Sequence, residues 1–272
     1  MSRWLARPVA LAAVVGVFGA VGTANATHSW GGYHWSRAAN PFTVTFSNNL
    51  TSNWTSYLTT AASDWSITSG ACNNPQNPVR ATVVAGGGAG RKCRPTAGRV
   101  EVCNATYGNN GWLGIASIWL NGTHITQGTV KVNDTYFNTA QYNTPAWRAM
   151  VMDQETGHTL GLDHQDVDFN NPDLLDACGR GSCMDYSADP SNNTKPNQHD
   201  YDELVIIYNH LDAFAALPNA GMPSDNSLDS SSDDENQADW GQPVRFARGR
   251  PIVFEREVGG GNKRVTFVFW AE

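Results

Sequence analysis

The run Gln154-Glu155-Thr156-Gly157-His158-Thr159-Leu160-Gly161-Leu162-Asp163-His164, followed downstream by Cys183-Met184-Asp185-Tyr186, constrains this chain more than any other feature. On a helix, residues four apart stand one turn above each other on the same face, so Gln154 and His158 can reach a single ion. Glu155, beside the first of these positions, can project toward a water at that ion without binding the ion itself, which is where a general base must stand. Gly161 lets the chain turn sharply after the helix, because glycine tolerates left-handed dihedrals that a β-carbon resists. That turn brings His164 round as a third ligand. The plainer alternative is that Gln154 and His158 are core-facing polar groups satisfied by hydrogen bonds. The glutamate, the glycine, the second histidine and the later methionine at their intervals favour the metal site.

Local signals place the motif on a helix. Thr144 is a polar cap and Pro145 suits the first helical position, so a helix is expected from there to about Leu160, with Trp147, Met150, Val151, Gln154 and His158 on its inward stripe. Apolar residues at helical spacing predict a second helix over residues 51–67 and a third over 198–211, the latter with Tyr201, Leu204, Val205, Tyr208 and Leu211 on one face. Alternation at residues 42–46 reads as a strand, as do residues 80–85, 99–103, 113–120 and 129–132, separated by glycine- and asparagine-rich turns.

The chain opens with Arg3 and Arg7, an apolar stretch to Val21 and Ala24-Asn25-Ala26, the pattern of a signal peptide over residues 1–26 and hence of a secreted, extracellular protein. No later segment is apolar enough to span a bilayer. The formal charge of −7 leaves no concentrated Lys and Arg for phosphates, which argues against nucleic acid as a partner. Five cysteines at 72, 93, 103, 178 and 183 suit an oxidising compartment. Cys178 and Cys183 flank the approach to Met184 and are expected to pair. Of Cys72, Cys93 and Cys103, two are expected to pair, and the sequence leaves open which. Without any C-x-x-C spacing, a zinc-cysteine site is disfavoured. Residues 223–239 are acidic, serine-rich and almost without apolar side chains, and read as a linker. Beyond it, residues 251–258 and 264–271 bracket Gly259-Gly260-Gly261-Asn262 as a β-hairpin, too small to stand alone and expected to dock on the main domain of residues 27–222.

In spacing, residues 151–164 together with 182–187 resemble the zinc motif and methionine turn of the metzincin clan of endopeptidases (matrixins and astacins), and the order of elements over about residues 41–213 is similar too. The resemblance implies an α+β fold with a mixed twisted sheet, motif helix, methionine turn and C-terminal helix. It further implies that His158 and His164 bind Zn2+, that Glu155 is the base, that Met184 forms an apolar floor, and that Tyr186 steadies the tetrahedral intermediate. The departure is Gln154, which stands where the clan has its first histidine. A glutamine offers only a neutral carbonyl oxygen, a poorer zinc donor than imidazole. Zinc is then held by Gln154, His158 and His164, or by the two histidines with a substitute such as Tyr186, or not at all. Recruitment of His28 or His34 from the N-terminal segment is a further alternative.

The functional expectation is a secreted, monomeric zinc endopeptidase acting on protein or peptide substrates. Its alternative is an inactive metzincin-like binding module, and a third reading, from ten tryptophans, is a carbohydrate or surface adhesin. The resemblance implies an extended peptide laid along an exposed sheet edge. Residues 113–119 are the candidate edge, with an ordinary buried strand as the equal alternative. The oxygen-rich loop of Asp163, Asp166, Asp168, Asn170, Asn171, Asp173 and Asp176 is a candidate for Ca2+, set against a solvated loop. Only about fourteen residues separate the expected cleavage point from the first strand, so no large prodomain is expected ahead of it.

Overall fold

Strand alternation and helix capping translate directly into elements in the computed structural model, which describes residue 1 and residues 28–70, 72–87, 91–212 and 237–272. The expected signal peptide beyond Met1, and residues 223–236 of the expected linker, lie outside the described residues. In chain order the elements are β1 (His34–Trp35), β2 (Phe42–Asn49), α1 (Ser52–Asp64), β3 (Val79–Ala85), β4 (Val100–Ala105), β5 (Trp112–Asn121), β6 (His124–Asn133), α2 (Asp134–Phe137), α3 (Pro145–His158), α4 (Gln198–Ile207), α5 (Gln237–Trp240), β7 (Gln242–Ala247), β8 (Arg250–Gly259) and β9 (Asn262–Trp270). The fold is α+β, built on one mixed sheet in the order β3-β2-β4-β6-β5-β9-β8-β7, with β1 pairing the start of β6. Strands β2, β3, β4 and β6 run parallel, while β5, β9, β8 and β7 extend the sheet antiparallel. Helices α1 and α3 pack against each other, α1 over β2 and β3 and α3 over β5, β6 and β9.

The C-terminal segment is no appendage. Three strands form rather than the expected two, and β9 pairs with β5 from Trp112↔Trp270 to Asn121↔Asn262. Val265, Phe267, Val268 and Phe269 of β9 are all buried, and each such side chain contributes about 1.5–3 kcal/mol by leaving water. Polar composition had suggested linker as far as Asp239, but residues 237–240 form a helical turn because Trp240 buries against Phe254 and Trp270. Helix α4 also stops short of its expected end. Its capping box of Asn197 and Asp200 sets the start, but Tyr208 turns away so that its hydroxyl donates to Leu160 O at 2.9 Å, and Leu211 is left exposed.

The cysteines pair as Cys72–Cys178 and Cys93–Cys103. This corrects the expected Cys178–Cys183 bridge. Cys183 is the odd thiol, fully buried in the core beneath the motif helix, while Cys178 lies in the loop that meets Cys72. Two disulfides are compatible with an extracellular protein. No helix among the described residues is long and apolar enough to cross a membrane.

Candidate metal centre

Helix α3 begins where its caps demand: the Thr144 side chain accepts from Trp147 N, and Pro145 occupies the first turn. From Met150 to His158 every residue is buried, because the helix is enclosed by the sheet, α1 and the methionine turn. Two glycines permit this closeness. A β-carbon at Gly157 would lie 2.6 Å from the Trp65 ring and 2.7 Å from Met184 Sδ, and one at Gly114 of β5 would lie 2.5 Å from Glu155 Oε1. Trp65 Nε1 fastens the outer face by donating to Asp153 O and Thr156 Oγ1, each at 3.1 Å.

The turn after α3 brings the two histidines together as expected. Gly161 has φ +99°, and a β-carbon there would strike the Tyr33 carbonyl oxygen, so the position excludes other residues on two grounds. His158 Nε2 and His164 Nε2 lie 3.1 Å apart. His158 Nδ1 is 2.9 Å from Leu162 O, an atom that can only accept, so Nδ1 carries the proton and Nε2 presents a lone pair. His164 Nδ1 faces Asp163 Oδ1 at 3.4 Å, and Asp163 is itself paired with Arg245 of β7. Both imidazoles are kept neutral: burial pushes their pKa values down, and the proximity of His164 adds to the effect at His158. The 3.1 Å separation serves either a hydrogen bond from His164 Nε2 to the His158 lone pair or a shared cation, since two nitrogens sharing a tetrahedral zinc ion would stand about 3.3 Å apart. The histidine pair therefore fits such an ion.

Gln154 is buried one turn before His158. Its Nε2 donates to Cys183 O at 2.8 Å, leaving Oε1 buried without a hydrogen-bond partner. The amide is thus held by the methionine turn with its one metal-competent atom unspent. Glu155 is fully buried, and burial raises its carboxyl well above the usual range, opposed by the backbone of Ala116.

Met184 is buried under the helix, and its turn is fixed from below. Ser182 Oγ accepts from Met184 N at 2.8 Å and donates to Asp200 Oδ2 at 2.6 Å. Asp200 Oδ1 is 3.1 Å from His28 Nε2, whose ring stacks on His199. His28 therefore serves the support of the turn. No spacing signal announces this network, since its members come from three distant segments.

The C-terminal strands cover the site. The Phe267 ring stacks on His158 with centroids 4.2 Å apart and planes 5° from parallel. Tyr186 packs its ring edge against His164 at 4.7 Å, and its hydroxyl donates to Val268 O at 3.2 Å. As the chain stands, that hydroxyl is engaged by β9, away from the expected role of steadying an oxyanion. Of the two alternatives for residues 113–119 the structure shows the ordinary buried strand: β5 lies between β6 and β9, and both its ladders are filled. The hairpin signal around Gly259-Gly260-Gly261-Asn262 announced a strand at residues 264–271, but only the tertiary structure sets Phe267 over the histidines.

The acidic loop does not gather around an ion. Asp166 Oδ1 accepts from Val167 N and Asp168 N, Asp168 Oδ1 from Asn170 N, and Asp176 Oδ1 from Cys178 N and Arg180 N. No three of the carboxylates of this loop converge among the described residues, which accords with the solvated loop set against calcium. His/Asp groups able to hold a metal ion occur elsewhere, at His28, His199 and Asp200 and at His34, His210 and Asp212.

No model of a known protein family matches the chain, and no curated protein matches it.

Proposed function

We propose that this chain is a secreted zinc-dependent endopeptidase of metzincin type, shielded by its own C-terminal strands. The observation that carries the reading is the convergence of His158 Nε2 and His164 Nε2 at 3.1 Å across the Gly161 turn, with Glu155 buried on the same helix as His158 and Met184 packed against Gly157. His158 and His164 are the residues to hold zinc, with Gln154 Oε1 as the neutral third donor. A zinc ion at such a site supplies Lewis acidity toward water and a peptide carbonyl. Glu155 takes the proton of the attacking water and returns it to the leaving amine, a role for which its buried setting raises the pKa in the useful direction.

Substrate entry requires β9 to yield. Two contacts hold it over the site, the Phe267–His158 stack and the Tyr186 hydroxyl on Val268 O, and the Arg245–Asp163 ion pair anchors β7 of the same C-terminal strands. An extended peptide would take the place on β5 that β9 fills. The test uses the purified full chain, its zinc content by elemental analysis, and cleavage of an unfolded protein substrate by the unaltered chain and by Arg245→Ala and Phe267→Ala. Zinc bound through His158 and His164, and cleavage that rises in these variants and vanishes with Glu155→Ala, are expected. A chain that binds no zinc, or cleavage indifferent to Glu155→Ala, overturns the proposal.

One observation favours the second reading, a noncatalytic metzincin-like binding module: the Gln154 amide is tied to Cys183 O while Phe267 seals the histidines. Under that reading Gln154→His creates an activity that the unaltered chain lacks.

A further inference from the structure

A second group of imidazoles stands where no part of the proposed reaction needs it. His34 lies on β1, directly opposite His124 at the start of β6 in the parallel register. His210 and Asp212 lie just beyond α4 and are drawn there by Arg37, which donates its guanidinium to Asp212 Oδ2 at 3.2 Å and accepts through its carbonyl from Asp212 N at 3.0 Å. Four side chains from three distant segments thus meet. His34 Nε2 is 3.2 Å from His210 Nε2 and 3.5 Å from Asp212 Oδ1, and His210 Nε2 is 3.8 Å from the same oxygen. His124 Nε2 stands 3.0 Å from that oxygen as well.

The donors are prepared for a cation. His34 is 4 % exposed, and its Nδ1 lies 2.7 Å from Gly32 O. A carbonyl accepts only, so the proton is on Nδ1 and the Nε2 lone pair faces the centre. Orientation of a ligand histidine through its other nitrogen is the usual support of a metal site. Arg37 holds Asp212 Oδ2 through its backbone N–H at 3.0 Å and its guanidinium at 3.2 Å, which leaves Oδ1 turned toward the three imidazoles. Imidazole nitrogens with one carboxylate oxygen suit a borderline divalent ion such as zinc better than calcium or magnesium, which take oxygen ligands. His124 and His210 have side chains 36 % and 46 % exposed, so an ion can enter from solvent.

We propose that His34, His210 and Asp212, with His124 as fourth donor, form a structural binding site for a divalent transition metal, separate from the His158–His164 pair. Its effect is to staple β1 and the segment after α4 to the β5–β6 turn. Metal binding by such a site stabilises the folded chain, since the unfolded chain does not hold the donors together.

The experiment strips the full chain with chelator and titrates it with Co2+ or Zn2+, comparing the unaltered protein with His210→Ala and with His164→Asn. His210 is nearly half exposed and its carbonyl, which receives Arg37, survives the substitution. The expected result is the loss of one equivalent of metal and of one tetrahedral Co2+ spectrum in His210→Ala, together with a loss of the metal-dependent rise in unfolding temperature. His164→Asn keeps that equivalent. An unaltered stoichiometry in His210→Ala, or a chain that binds no metal sensitive to this substitution, overturns the inference. The two sites fail separately: loss only in His164→Asn rejects the staple, and loss only in His210→Ala rejects zinc at the candidate active centre.

Discussion

Single residues show why the motif could be read without a fold. Gly161 must be glycine both for its φ of +99° and because a β-carbon would strike Tyr33 O, so Gly161→Ala is expected to lower stability by about 3 kcal/mol in urea unfolding. An effect under about 0.5 kcal/mol would mean that the turn relaxes freely. Gly157 and Gly114 are different in kind: the structure demands glycine there because Met184, Trp65 and Glu155 come close. That crowding cannot be seen in spacing. Cys183 shows the same limit, since proximity in sequence favoured Cys178 as its partner while burial under α3 withdrew it.

Elements carry the next level of information. Capping by Thr144 and Pro145, the alternation in β2 and the strand-like composition of β5 were legible because they arise within a few residues. The position of β9 was not, because strand pairing over long sequence separation depends on which edge is open after the other elements pack. Phe267→Ala removes a buried aromatic and is expected to cost about 3–5 kcal/mol by chemical denaturation, while speeding metal exchange at His158. Unchanged exchange would show that the ring does not guard the site. The Cys72–Cys178 bridge ties positions separated by 106 residues, so Cys178→Ser with Cys72→Ser should cost about 2–5 kcal/mol in the same measurement.

Across the whole molecule, buried titratable groups set a pH window. His158 and His164 stay neutral in the fold and protonate when unfolded, so their contribution is lost as pH falls below the ordinary value of 6.5. Asp153, Glu155 and Asp185 behave oppositely. Burial raises all three, Asp185 to about 7, so the fold keeps protons that the unfolded chain releases from about pH 4 upward, and stability falls as pH rises. Between about pH 4 and 6.5 the two trends oppose each other, so the metal-free chain should lose stability more steeply with rising pH above about 6.5, where the carboxyl contribution acts alone, than within that window in denaturant titrations. Asp185→Asn should recover roughly 2–4 kcal/mol at pH 8 and little at pH 4, because the Leu174 N–H retains an acceptor. Equal effects at both pH values would contradict the assignment.

Local chemistry alone determined the motif helix, its glycine turn, the meeting of His158 with His164, and the strand character of most of the sheet. Each depends on periodicity, capping or allowed dihedrals within a dozen residues. Tertiary structure decided the rest: the cover of β9 over the histidines, the pairing of Cys72 with Cys178, and the gathering of His34, His124, His210 and Asp212. Those meetings depend on which apolar faces bury together across the whole chain, and burial of that kind leaves no fixed spacing in a sequence.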